Sequence, residues 1–443
     1  MSIANIFKMV HRNYRLEELK RVDEEFYSEI QDRIVEEYRD VDKVKEKMSS
    51  IGLEFRNLMW EPYMGNLYYV EEYLVIPLHA MMSLSMMDEK LVNNLREVYR
   101  QELDTGDWFN ILAKLPEGLR MDVFNKCYTK MSEEQAVEAF EWMYTSLDYP
   151  MEVLDKDIVM RVMKKGTCVE VLRKYADKQG YVTVYRGQTE KSTKLDKAIS
   201  YSISYDVASK FASHFQSKGA KVYKAKVKLE DIRMYSDDRL EQEVLVDYKD
   251  LKDIEDMGVY GLEDLIVALP VYQEKKYYNE KYNLLDKEPI HGFNHSNRMI
   301  MLASLLYSKM KRKLKVSDLN ILVAACVAHD LGREHDGADW SHGLLSEQIL
   351  SKELVKECKL TEEDEKILRF VIINHSLPDS KVEMNIKKSD VKDKVRLKKL
   401  AYLFKDIDGL DRVRIRDLDS RYLRAEEAKK AVTAAHMVLS LVK

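Results

Sequence analysis

Proline and glycine are scarce, at 7 and 15 of 443 residues. A chain so poor in turn formers leaves little room for many short strands or for low-complexity linkers, so helices should dominate. Cysteine is rarer still. Cys127, Cys168, Cys326 and Cys358 stand far apart with no C-x-x-C spacing, which excludes a disulfide framework or zinc knuckle and fits a reducing cytoplasm. No apolar run reaches about 18 residues, and the opening MSIANIFKMVHRNYRLEELK lacks the apolar core of a signal peptide, so neither a membrane span nor export by the usual route is expected. A large charge of one sign is also missing. With 72 basic and 77 acidic residues the net charge is −5, which gives no global pull towards nucleic acid or an anionic membrane. A nucleotide partner would have to be held in a pocket.

The remainder, 45% hydrophobic and 34% charged, is that of a folded protein with several units. From Arg15 to about Lys164, segments such as LEELKRVDEEFYSEIQDRIVEEY and SEEQAVEAFEWMYTSL repeat apolar residues at three and four, the period of amphipathic helices. Residues 1–150 therefore read as a helical region of unknown role, with Trp60, Tyr63, Tyr68, Tyr69 and Tyr73 filling the contacts between helices or forming a binding surface. From Gly180 to Tyr272 the pattern changes to the β-rich runs YVTVYRG, KVYKAKVKL, EQEVLVDY and LIVALPVY, which predict an α+β domain over 151–272. The charged QEKKYYNEKYNLLDKE, 273–288, ends before Pro289 and reads as a linker. An all-helical domain follows over 289–443. The fold class expected is multidomain and mainly α, with one α+β domain.

Six of the ten histidines lie between positions 291 and 375: His291, His295, His329, His335, His342 and His375. His295 falls in a helical run, and His329 and Asp330 end the apolar run NILVAACVAHDLG, where a turn at Gly332 lets both side chains reach one cation. Asp408 lies at the edge of another apolar stretch, LFKDIDGLDRVRIR. Imidazoles with carboxylates suit a divalent metal such as Mn, Fe, Co, Ni or Zn. Such an ion makes hydroxide from its water and clamps a phosphoryl oxygen. HGFNHSNRM, AHDLGREHDGADWSHGLLSEQ, INHS and KDIDGLDRVR together resemble the ordered H…HD…D signature of the HD phosphohydrolase superfamily over about 150 residues. The resemblance implies that His295, His329, Asp330 and Asp408 ligate a first metal, with Asp330 catalytic. It also implies that His342 and His375 complete a second position, and Asp406 is the rival for the last ligand. His291 either faces the site or, just after Pro289, caps the helix start or lies in solvent, and His335 reads more readily as a non-ligand in a polar turn. Arg333, Arg412 and Arg414 are either phosphate grips or solvated helix-end cations.

In the middle domain, YVTVYRGQ ends a strand with Arg186, SYSISYDVASKFA joins a second strand to a helix, and RLEQEVLVDY carries Glu241 and Glu243 two apart. Period-two alternation would send both carboxylates from one face of a strand. Two such acids repel each other unless a cation or a hydroxyl-bearing ligand meets them. The order Arg, Ser-x-Ser, Glu-x-Glu resembles the R-S-E class of ADP-ribosyltransferases. The sequence departs from the common Ser-Thr-Ser run at Ser204, and its Arg-to-Ser interval is short. The resemblance implies that NAD is held by Arg186, Gly187, Ser202, Ser204 and Glu243, with Arg186 and Ser202 supporting catalysis. Glu243 would stabilise the oxocarbenium-like transition state and Glu241 would activate the acceptor.

Both resemblances imply an enzyme of two activities: an NAD-dependent ADP-ribosyltransferase joined to a metal-dependent hydrolase of a phosphorylated, nucleotide-type or ADP-ribose-type small molecule. The acceptor implied is a protein arginine, with nucleic acid left open. Two alternatives stand beside this. One is an HD nucleotide phosphohydrolase whose ADP-ribosyltransferase-like domain only senses a ligand; the other is a toxin-like effector restrained by a regulatory protein partner.

Overall fold

The computed structural model describes residues 14–15, 41–61, 66–71, 74–78, 84–115, 117–146, 155–214, 218–283, 285, 290–333, 337, 339 and 341–442. Among these described residues are 18 α-helices and two antiparallel sheets, so the mainly α, mixed character expected from composition holds. No described helix is long and apolar enough to cross a membrane. The chain divides into two compact units, 1–164 and 165–443.

The first unit is not purely helical. Strands β1 (Tyr14–Arg15), β2 (Leu58–Glu61), β3 (Asn66–Glu71) and β4 (Leu74–Pro77) pair in sequence order as an antiparallel meander. The helices described are α1 (Val41–Ser50), α2 (Glu89–Thr105), α3 (Trp108–Ala113), α4 (Glu117–Cys127), α5 (Glu133–Ser146) and α6 (Lys156–Val162). Of the aromatics expected between helices, Trp60, Tyr68 and Tyr69 belong to this sheet. Tyr68 and Tyr69 are buried in β3 and Trp60 belongs to β2, while Tyr63 and Tyr73 lie outside the described residues. Val44 and Met48 of α1 and Val92 of α2 share one core with Leu58, Tyr69 and Ile76. Helix α2 starts at Asp88, whose side chain accepts from Leu91 N, and stops at Gly106 in the left-handed conformation, a cap at each end.

The second unit joins a sheet to a helical bundle. After the short α7 (Val169–Leu172) come β5 (Tyr181–Gln188), β6 (Ser200–Ser202), α8 (Tyr205–Ala212), β7 (Lys221–Lys228), β8 (Met234–Ser236), β9 (Glu243–Leu245) and β10 (Leu251–Asp256). The strand order is β10-β7-β5-β6-β9-β8, antiparallel throughout. The bundle is α9 (Leu262–Tyr282), α10 (Phe293–Lys309), α11 (Val316–Ala328), α12 (His342–Gln348), α13 (Lys352–Glu357), α14 (Glu362–Asn374), α15 (Asp379–Lys388), α16 (Lys394–Leu410), α17 (Glu426–Lys430) and α18 (Val432–Leu441).

Helix α9 corrects two expectations. LIVALPVY is helix, not strand, and 273–282 continues that helix where a linker was expected. Leu265, Ala268, Tyr272, Lys275 and Asn279 are its buried residues, a three-and-four spacing that outweighs the β-branched composition. Asp264 caps the start by accepting from Gly261 N at 2.8 Å. Asn279 Nδ2 donates to Phe293 O at 3.1 Å and Asn283 Nδ2 to Ser296 Oγ at 3.0 Å, so this segment is bonded into the bundle.

Sheet and bundle are also bonded to each other. Tyr205 Oη donates to Lys429 O and Tyr260 N to Lys430 O, both at 2.8 Å, and Ser420 N donates to Asp206 Oδ2 at 3.1 Å. Helix α8 lies between β5 and α18. Its approach to β5 depends on Gly187, where a Cβ would stand 1.9 Å from Ala208 O and 2.6 Å from Ala212 N. Packing alone therefore accounts for this glycine.

Two outcomes follow for stability. Gly187→Ala forces backbone apart and should cost about 1–3 kcal/mol, read as a lowered melting temperature. On α18, burial pushes His436 down to about 4, with Lys210 and His214 adding repulsion. Its folded value lies below the ordinary 6.5, so its contribution is intact above pH 6.5 and is lost as pH falls to about 4. The loss should be at most about 3 kcal/mol, and His436→Leu should remove that part of the pH dependence in urea titrations.

Candidate functional site

The metal-ligand candidates are brought together at the centre of the bundle. Helix α11 is apolar and buried from Ile321 to Ala328, as the core-facing length of a central helix must be, and its end delivers His329 and Asp330 to the interior. Asp330 is 2% exposed. Its Oδ2 lies 3.0 Å from His291 Nδ1, 3.2 Å from His329 Nε2 and 3.9 Å from His295 Nε2. Its Oδ1 lies 3.2 Å from His342 Nε2 and 3.8 Å from His375 Nε2. Asp408 Oδ1 stands 3.4 Å from His295 Nε2. The cluster thus has two lobes, with the Asp330 carboxylate between them.

Each imidazole is oriented from behind. Backbone carbonyls receive the Nδ1–H of His329 (Cys326 O, 3.2 Å), His342 (Asp339 O, 2.6 Å) and His375 (Ile372 O, 2.7 Å), and Asp411 Oδ2 receives that of His295 at 2.7 Å. A carbonyl or ionised carboxylate oxygen only accepts, so Nδ1 carries the proton and each ring, in its neutral form, keeps its lone pair on Nε2. Those lone pairs converge. His295 and His329 Nε2 are 3.3 Å apart, and His342 and His375 Nε2 are 2.8 Å apart. Facing lone pairs at such distances repel unless a cation lies within reach of both, so the donor set fits a divalent metal. His295–His329–Asp408, His329–Asp330–His375 and His291–His295–Asp330 are each tight enough to hold an ion. Gly343 permits the second lobe: a Cβ there would lie 2.7 Å from Ile372 O, and α12 could not bring His342 to His375.

The electrostatics agree. Burial pushes the Asp330 carboxyl up, but His329, His291 and His342 outweigh it and hold it well below the usual range. Asp408 is likewise held low by His295, His329 and His375 against burial, so both stay anionic at neutral pH. His295 is pushed down by burial and by Arg414, yet Asp408 and Asp411 bring its net shift upwards.

Of the remaining candidates, Asp406 is not a ligand. It accepts from Arg424 N (3.0 Å) and Ala425 N (2.7 Å) at the start of α17 and pairs with the Arg424 guanidinium, because two residues along a helix turn about 200° away from Asp408. His291 faces the cluster, His335 lies outside the described residues, and Arg412 is exposed against Asp417. Arg333 Nε is 3.3 Å from Asp330 Oδ1. Arg414 binds Ile290 O and Asp411 O, and its Nη2 lies 3.3 Å from His291 Nδ1. Sequence reasoning missed Asp411 and Arg298. Asp411 is 1% exposed and takes a two-point grip from Arg298 at 2.7 and 2.9 Å. The signal was the three-residue spacing His295–Arg298 and Asp408–Asp411, which puts each pair on one helix face.

In the sheet, Ser202 lies directly opposite Glu243 and Tyr185 opposite Ser202. Ser200 Oγ donates to Glu243 Oε1, Ser202 Oγ donates to Glu241 O at 2.7 Å, and Ser204 caps α8 by accepting from Val207 N. Arg186 Nη1 donates to Ser200 O at 2.7 Å. Alternation along β5 puts Arg186 with the buried Val182 and Val184, opposite the Tyr185 face that carries Ser202. Ser200 therefore links Arg186 and Glu243, which do not share one face. The Glu-x-Glu geometry differs from the expected strand alternation as well. β9 begins at Glu243, and Leu240 and Gln242 have φ of 57° and 46°. Both carboxylates nonetheless meet one cation, Arg239, at 3.4 and 3.7 Å. Burial pushes Glu241 up, with Arg239 opposing and Glu243 adding.

Asp411→Asn leaves shape nearly intact but weakens the hold on the His295 tautomer, so divalent-metal affinity should fall about 10–100-fold in calorimetric titration with Mn²⁺ or Zn²⁺. Asp406→Asn should leave metal affinity unchanged and lower the melting temperature instead. Comparisons of the chain with protein-family models, with curated proteins and with solved structures give no match.

Proposed function

We propose that the bundle is a metal-dependent phosphohydrolase of the HD type and that the sheet is an ADP-ribosyltransferase-like site using NAD. The first reading rests on one observation: four Nε2 lone pairs and two carboxylates converge while every paired Nδ1–H is committed elsewhere. A divalent ion bound there supplies hydroxide at neutral pH and draws charge from a phosphoryl oxygen. The chain's own groups do the rest. Asp330, anionic and placed between both lobes, holds and orients whatever occupies them. Arg333, beside Asp330, offers planar donors to phosphate oxygens. The substrate class proposed is a phosphorylated nucleotide or ADP-ribose-type small molecule.

The second reading rests on Glu243. Ser200 fixes it, and Arg239 holds it beside a second carboxylate whose elevated proton affinity suits a base. In this reading Glu243 binds a ribose hydroxyl and stabilises positive charge as nicotinamide departs, with Ser202 and Arg186 bracing its strand.

Hydrolysis of bis(p-nitrophenyl) phosphate or of nucleoside phosphates in the presence of Mn²⁺ should fall by at least about 10²-fold in His329→Ala and Asp330→Asn and vanish with a chelator. Activity that survives both variants would remove the bundle reading. For the sheet, release of nicotinamide from NAD should fall about 10²–10³-fold in Glu243→Gln. Equal release by that variant and the unaltered protein points to a domain that only senses its ligand.

A further inference from the structure

Helix α9 has a second face. Its buried residues, Leu265, Ala268, Tyr272, Lys275 and Asn279, turn one side to the bundle. On the opposite side a seam at three-and-four spacing runs through Glu263, Ile266, Pro270, Gln273 and Tyr277, and all five are exposed. Along it Ile266 is 53% exposed, Val267 62%, Leu269 42% and Tyr277 48%. Single apolar side chains at a surface need no explanation, but four of them within about three turns of one helix form a patch. A helix that is apolar all round is ordinarily covered all round. Pro270 adds a polar demand on the same face. With no N–H, it leaves the carbonyl of Ile266, one turn earlier, unanswered within the helix. The seam therefore calls for apolar surface and for one hydrogen-bond donor.

We propose that this seam docks on its counterpart in a second copy of the chain, with the two α9 helices antiparallel about a two-fold axis opposite the step from Val271 to Tyr272. Self-pairing in that register meets each demand, and every contact occurs twice. Ile266 faces Tyr277 of the second copy, and Pro270 faces its Gln273, whose side-chain amide can donate to the free Ile266 carbonyl. At the ends of the seam Glu263 meets Lys281 of the second copy. Both charges are held in place within their own chain: Gly219 N donates to Glu263 Oε1 at 2.8 Å, and Lys281 pairs with Glu357. Parallel pairing would instead set Glu263 beside Glu263 and Lys281 beside Lys281, and would align the helix dipoles unfavourably. The side chains of the seam bury on the order of 1,000 Å² in total over both copies, the floor for a specific contact and well short of an obligate dimer. The dimer expected is one that dissociates in roughly the micromolar range.

The test follows the mass of the full-length protein by sedimentation equilibrium from about 1 to about 100 µM. A monomer–dimer equilibrium is expected, and Ile266→Glu should weaken it at least about tenfold while leaving the melting temperature unchanged, because the side chain it replaces is exposed. Orientation is read by cross-linking with a short bismaleimide. Gln273→Cys, close to the two-fold axis, should join to itself. Ile266→Cys, whose two copies stand about 16 Å apart along the helix direction, should not, and neither should the unaltered protein. A chain that stays monomeric at about 100 µM leaves the seam to a partner of another kind and overturns the proposal. So does a dimer indifferent to Ile266→Glu, or one that cross-links through Ile266→Cys in preference to Gln273→Cys.

Discussion

The bundle depends on where a proton sits on each of four imidazoles. His329, His342 and His375 hand their Nδ1–H to the backbone, and His295 hands its own to Asp411. These bonds decide which nitrogen faces inward, and they can form only if the helices end where they do. All three carbonyl bonds run three residues back, and two of them, from His329 to Cys326 and from His375 to Ile372, set their histidines at the C-terminal ends of α11 and α14. The apolar character of α11 is thus more than filler. It anchors a helix end against the electrostatic cost of gathering Asp330, Asp408 and Asp411 among buried rings, a cost that is tolerable only because every charge has a partner.

The same constraint explains the outer layer. Arg298 and Arg414 both bear on Asp411, and neither is placed to ligate. Their role is to keep one carboxylate ionised and fixed, so that it can keep one imidazole fixed. The sheet has a parallel logic in neutral groups: Ser200 and Ser202 spend their hydroxyls on Glu243 and on the Glu241 carbonyl. In the sheet a short hydroxyl side chain holds a charged one; in the bundle a carboxylate held by two arginines holds an imidazole.

Much of this was legible in sequence because spacing on a helix is a statement about faces. The histidine concentration, the His-Asp step after an apolar run and the later Asp408 all fall in one cluster. The rival Asp406 was separable in principle, since 200° of helix turn divides it from Asp408. Two things were hidden. The meander of the first unit consists of strands of 2 to 6 residues, too short for alternation to stand out among neighbouring helical periods, and β-branched composition disguised α9 as a strand. The sheet residues were legible as a set but not as a geometry: period two assigns Arg186 to one face and Ser202 to the other, and the positive-φ turn at Gln242 removes Glu241 from the strand. No one-dimensional pattern carries that turn.

Helix α9 leads from the loop after β10 to the first turn of α10, the helix that carries His295, where Asn279 holds Phe293 O and Asn283 holds Ser296. At 21 residues it spans about 32 Å, and with both ends bonded it behaves as a strut. Pro270, near its middle, has no N–H to give the carbonyl of Ile266. A strut with one missing rung flexes at that rung before it shears at either end. Strain that reaches the bundle along α9 is therefore taken up first at mid-helix, ahead of the Asn279 and Asn283 bonds that seat its far end.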